Sequence, residues 1–172
     1  MIPGFLIAWL TFPGVIVHEM GHFLFCRLRG VPVLEVRFLR LGNPAGYVIH
    51  GPTANFTTTF LVCAGPLLVN TLLCLLICLP TYLPMEVFGI KHPFSYLLLW
   101  LGVSIGMHAF PSTQDAGNLW RAARQEAARY NLLAILSLPL VVLIFVANVL
   151  SFVWFDYLYG VAIGIGVPSL MF

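Results

Sequence analysis

Five consecutive residues, His18-Glu19-Met20-Gly21-His22, set two imidazoles and a carboxylate in the HExxH spacing. On a helix, residues four apart share a face, so both rings can point at one metal ion. Glu19 projects about 100° away, close enough to touch a water on that metal and take its proton. Zinc, Zn2+, suits this set, because it lowers the pKa of a bound water toward ~7 and makes hydroxide available at neutral pH. The plainer alternative is a group of hydrogen-bonded structural side chains. The setting weighs against it, because two histidines and a glutamate are costly in an apolar segment unless they are functional or paired.

That segment runs from about Ile2 to Cys26 and is long enough to cross a ~30 Å hydrocarbon core. It lacks the basic n-region and small-residue cleavage site of a secretory signal, so it is expected to remain as a span. Residues 31–51 read as a β-hairpin at the membrane surface. Leu34-Glu35-Val36-Arg37-Phe38 alternates, Gly42 to Gly46 is a turn cluster, and Tyr47 to His50 can return as a second strand. A second span is expected over about Phe56–Leu79, stopped by Pro80, and a third over Phe94–Phe110, broken by Pro111. Residues 116–130, rich in alanine and arginine, suit an interfacial helix. A fourth span covers about Leu132–Phe155, which places Asp156 near its outer end, away from the HExxH residues. Residues 157–172 are either a fifth, thin span or a re-entrant piece.

The fold class expected is therefore an all-α polytopic membrane protein with four to five transmembrane helices and a surface hairpin after the first. It forms a single unit over 1–172, with a core of about 1–130 and further spans in 131–172. Composition agrees: 60% of the 172 residues are hydrophobic and 8% charged, against roughly a quarter charged in soluble domains. The natural partner is the lipid bilayer. A net charge of +2 with no basic block gives no reason to expect nucleic acid. Cys26, Cys63, Cys74 and Cys78 lie in apolar runs without a CxxC pair and read as packing residues. Seven of the eight basic residues follow the first or third span, and only Lys91 lies on the other side. The positive-inside rule puts those seven in the cytoplasm and the N-terminus outside the cell membrane.

A catalytic zinc usually has three protein ligands and one open position. Glu35 alternates with Arg37 on a solvated face, Glu86 lies on the wrong side, and Glu126 sits where Arg121 or Arg129 can pair with it. Asp115 remains. It lies six residues before Arg121, as His22 lies five before Arg27, so both belong near the cytoplasmic ends of their spans. The common depth is roughly 10 Å below that surface. The alternative to the ligand role is that Asp115 is the N-cap of the helix that follows Pro111.

Three segments together resemble the site-2 protease family of intramembrane zinc metalloproteases: HEMGH in a span; Gly65-Pro66-Leu67-Leu68-Val69-Asn70, similar to the family's Gly-Pro-x-x-Asn; and Phe110 to Gly117, where the family has a proline-rich stretch ending in Asp-Gly. The likeness covers about residues 10–120 and includes the hairpin between the first two core spans. It implies an enzyme that hydrolyses peptide bonds in or near transmembrane segments, with His18, His22 and Asp115 holding zinc and Glu19 as general base. Two departures mark an outlying member. Ala116 separates Asp115 from Gly117, and Met107 stands where the family often has an asparagine that holds substrate or oxyanion. His108 beside it, or Asn70, is the candidate for that role. The implied partner is a membrane-protein or peptide substrate.

Two rival classes follow from the same residues. A non-proteolytic zinc-binding membrane protein, a regulator or degenerate protease, would need no base beside the metal, which Glu19 supplies. A small transporter would spread its polar residues along the bilayer depth, whereas here they cluster near one face.

Overall fold

The computed structural model describes residues 4–171, so the first residues of the expected leading span, and Phe172, lie outside the described part. The described residues are mostly helical, with one two-stranded antiparallel sheet among them. Among the described residues, two continuous helical runs, Phe56–Val87 and Leu132–Val153, are long and apolar enough to cross a membrane.

The leading apolar stretch is not one helix. It divides into α1 (Gly4–Leu10) and α2 (Phe12–Leu28) at Thr11. Pro13 explains the break: it has no N–H to donate to Trp9, and its ring crowds that carbonyl. Thr11 covers the joint by donating its hydroxyl to the Ile7 carbonyl at 2.7 Å. The expected hairpin is present as β1 (Val33–Arg37) and β2 (Tyr47–His50), paired antiparallel with an irregularity between Val33 and Glu35. Arg40 holds its turn, donating to the Pro44 carbonyl at 2.9 Å and the Asn43 carbonyl at 3.2 Å. Glu35 and Arg37 are exposed, as their alternation suggested, and stand 3.7 Å apart.

The second span does not stop at Pro80. α3 runs Phe56–Tyr82 with Pro66 and Pro80 inside it, and a π-helical turn, Leu83–Val87, follows. A membrane helix tolerates proline when other groups satisfy the freed backbone; at Pro66 the freed Val62 carbonyl pairs with His22, while Pro80 lies on the exposed face. The third span is shorter than its apolar run: α4 (Pro93–Met107) ends before Pro111, and His108 closes it. α2, α3 and α4 form a tight bundle. A side chain at Gly14 would strike the Ser104 backbone, and Gly102 and Gly106 lie on the thiols of Cys78 and Cys74. Small residues at these crossings let the backbones meet.

α5 (Thr113–Ala127) begins earlier than its sequence suggested, because Ser112 caps it. α6 (Leu132–Leu150) packs back along α5. Ala116, Leu119 and Ala123 of one and Ala134, Val141 and Ile144 of the other are buried together with Phe56 and Cys63 of α3. The end of α6 thus returns to the start of α5, where Asn148 donates to the Pro111 carbonyl at 3.0 Å. The chain then breaks at Trp154, whose φ of 65° no helix accommodates. It continues as α7 (Phe155–Val161), a π-helical turn and α8 (Val167–Met171). This run lies along α4: Gly160 faces Met107, and Gly164 faces Val103 and Cys78. Residues 155–171 are therefore helical and packed. All four cysteines are buried and unpaired, in keeping with a packing role.

Candidate metal centre

His18 and His22 lie one turn apart on α2, in the stretch that meets both α3 and the end of α4. Their Nε2 atoms are 3.2 Å apart, and His22 Nε2 lies 3.4 Å from Asp115 Oδ2. One donor atom from each of the three residues falls within 4.8 Å of the others. Tetrahedral ligands on zinc, at bond lengths of ~2.0–2.1 Å, stand ~3.3 Å from one another. The two short separations match that spacing.

Each ligand is held from behind. His18 Nδ1 donates to the His108 carbonyl at 2.7 Å, and His22 Nδ1 donates to the Val62 carbonyl at 2.8 Å. A carbonyl oxygen only accepts, so both rings carry hydrogen on Nδ1 and, as neutral imidazoles, turn their Nε2 lone pairs toward each other. Asp115 Oδ2 accepts from the Ser112 hydroxyl at 2.6 Å and from its N–H at 3.2 Å. Three electron-rich atoms therefore converge with no donor between them. A proton on His22 could satisfy one neighbour in line, whereas a divalent cation satisfies all three. The donor set of two imidazoles and a carboxylate with room for a fourth ligand fits a catalytic zinc.

The cap of α5 is Ser112, not Asp115. Asp115 is the reciprocal partner in a capping box and reaches the histidines with the same oxygen. The cap and ligand roles are therefore compatible. The Ser112-x-x-Asp115 spacing, readable as a capping box, was the signal that could have located Ser112.

Glu19 is buried on the next face of α2 and lines two cavities beside the histidines. The larger, about 600 Å³, is bounded by β2, the hairpin turn and the first turn of α5, and includes His18, His22 and Asp115. The smaller, about 230 Å³, lies on the other side of the turn and includes His18, His108, Asn148 and Asp156. Asp156 is thus not remote from the metal site. The sequence placed it at the far end of a straight span, but α6 returns to the level of Pro111 and the break at Trp154 sets Asp156 beside the cavity.

Of the two residues expected to face substrate, His108 lines the smaller cavity, whereas Asn70 lines neither. Asn70 is fully buried, and its amide donates to the carbonyls of Ile105 at 3.0 Å, His108 at 3.2 Å and Gly14 at 3.3 Å. It ties the end of α4 to α2. The His108 ring lies 2.8 Å from the Thr11 hydroxyl, while its carbonyl holds His18. Glu126 pairs with Arg129 at 2.9 Å, one of the two partners expected, and Arg121 bonds Asn118 instead. Sequence reading missed Val62, which acts through its backbone, and Gly46, which packs on Glu19.

No protein-family model matches the chain, and comparisons with curated proteins and with solved structures find no match.

Proposed function

We propose that the chain is an intramembrane zinc metalloprotease that hydrolyses peptide bonds in or near the transmembrane segments of other membrane proteins. The observation that carries this reading is the convergence of two Nδ1-protonated imidazoles and a carboxylate at metal-ligand spacing, beside a buried glutamate that ligates nothing. Bound there, zinc would supply Lewis acidity toward a carbonyl and acidify water.

The chain's own groups do the rest. His18, His22 and Asp115 would hold the ion. Glu19 accepts a proton from the attacking water and passes it to the leaving amine at the same carboxylate. The edge of β2 away from β1 runs along the larger cavity, so an unwound substrate can add there as a strand, its backbone satisfied by β2 and its side chains alternating between cavity and solvent. The apolar helices suit a cell-membrane protein crossing the bilayer four to five times, with the metal site near the cytoplasmic face.

The rival reading, a zinc-binding membrane protein without proteolysis, has the same ligands but no use for Glu19. The test is to purify the full chain in detergent, measure its zinc, and follow cleavage of model transmembrane peptides by wild type and Glu19→Gln. Bound zinc in both forms, with cleavage by wild type alone, supports the protease. Zinc in both with equal behaviour toward peptides favours the rival. A wild-type chain that takes up no zinc removes the basis of both.

A further inference from the structure

We infer that Pro66 is a positioning residue for the metal centre, acting through the N–H it lacks. In a helix the N–H of residue i donates to the carbonyl of residue i−4. For position 66 that carbonyl belongs to Val62. Proline has no N–H, so the Val62 carbonyl loses its helical donor in the middle of α3. Val62 is 1% exposed, so water cannot replace that donor, and a buried carbonyl left alone is costly. His22 Nδ1 fills the gap at 2.8 Å.

The bond has a chemical result. It fixes the hydrogen on Nδ1 and leaves the Nε2 lone pair aimed at His18 Nε2 and Asp115 Oδ2, at 3.2 and 3.4 Å. The same stretch of α3 permits the approach. A β-carbon on Gly21 would stand 3.0 Å from Pro66 Cα, and one on Gly65 would overlap the Phe25 ring. The two helices thus touch one residue away from His22. His18 obtains its acceptor by a different route: the His108 carbonyl lies past the last turn of α4, where helical donors run out. The fold therefore supplies two carbonyls without helical partners, one by ending a helix and one by interrupting its ladder.

This inference rests on the metal reading above. An N–H restored at position 66 would compete with His22 for Val62. Loss of such a backing bond typically weakens metal binding 10–100-fold. A merely structural proline predicts otherwise, because Pro66→Ala adds a helical hydrogen bond and leaves the ligands untouched.

The experiment uses the full chain in detergent, with Zn2+ affinity measured by competition against a chelator and the thermal midpoint of the metal-free form measured in parallel. Pro66→Ala is expected to bind zinc about 10–100-fold more weakly while the metal-free chain melts no lower than wild type. Lactic acid at position 66, introduced by nonsense suppression, carries alanine's methyl on an ester that has no N–H, and it is expected to bind like wild type. Unchanged affinity in Pro66→Ala overturns the inference. So does equal weakening in both variants, which would assign the effect to ring packing on Gly21. Should Pro66→Ala fail to fold, the ester variant still decides by its affinity, together with the ¹⁵N shifts of His22 in zinc-loaded wild type. A proton on Nε2 overturns the inference. Wild type that binds no zinc fails the metal reading itself, a distinct result.

Discussion

Gly46, in the hairpin turn, lies directly against Glu19: a β-carbon at position 46 would stand 2.7 Å from Glu19 Cγ and 3.1 Å from the carbonyls of Arg37 and Phe38. The turn that Arg40 clasps is therefore a wall of the glutamate's pocket, and it separates the two cavities that flank the histidines. Gly46→Val must displace either the turn or Glu19. Zinc content is expected to stay at the wild-type level, because no ligand is touched, while peptide cleavage falls toward that of Glu19→Gln. Wild-type cleavage by Gly46→Val would show that the turn does not seat the base.

Asp115 faces His22 and holds the start of α5 with one oxygen, and two substitutions separate its proposed ligand role from the cap. Asp115→Asn keeps an oxygen that can accept from Ser112 but removes the negative charge; zinc binding is expected to weaken about 100-fold with little change in metal-free stability. Ser112→Ala removes the cap and the hydroxyl that holds Asp115. It should cost about 1 kcal/mol of stability and about tenfold in zinc affinity. Chelator competition and thermal unfolding in detergent measure both. Full zinc affinity in Asp115→Asn would transfer the third-ligand role elsewhere.

Asn70 gathers three backbone carbonyls from α2 and the end of α4. Asn70→Leu removes one donor from those carbonyls, each of which keeps another: the His108 N–H for Ile105 at 3.2 Å, His18 Nδ1 for His108, and the helix's own N–H for Gly14; the cost is about 1 kcal/mol. The expected readout is a lower thermal midpoint of the metal-free chain, with further weakening of zinc binding because the His108 carbonyl that holds His18 loses its anchor. A midpoint equal to wild type would mean that the bundle end is held by packing alone.

The arginines of the hairpin and of α5 are expected on the cytoplasmic side, and Lys91 outside. The native cysteines are buried, which leaves introduced ones readable. Lys91→Cys should react with an impermeant maleimide in intact cells. Arg40→Cys and Arg121→Cys should react only after permeabilisation. Labelling of all three under one condition would put the loops on a common side and break the proposed topology.

The residues of the centre were legible because their chemistry is written in local spacing. His18, Glu19 and His22 sit within one helical turn, and their geometry follows from 3.6 residues per turn, whatever the rest of the chain does. Asp115 could be named from charge, depth and the break at Pro111, but only as ligand or cap; the capping box of Ser112 makes the two roles one arrangement. The hairpin was readable from its period of two and its turn cluster. Helix ends were less so. A proline predicts a stop, and Pro13 and Pro111 behave that way, yet Pro80 does not, because whether a helix can continue depends on what surrounds the freed carbonyl. The same physics hid Val62, whose side chain gives no hint that its backbone serves His22. It also hid the return of α6 to Pro111, which brings Asp156 beside the cavity. Short-range periodicity and residue chemistry determined which side chains could act. Pro66 frees the Val62 carbonyl by its identity alone, but only the tertiary structure decided that an imidazole would meet that carbonyl, and so which way each ring faces.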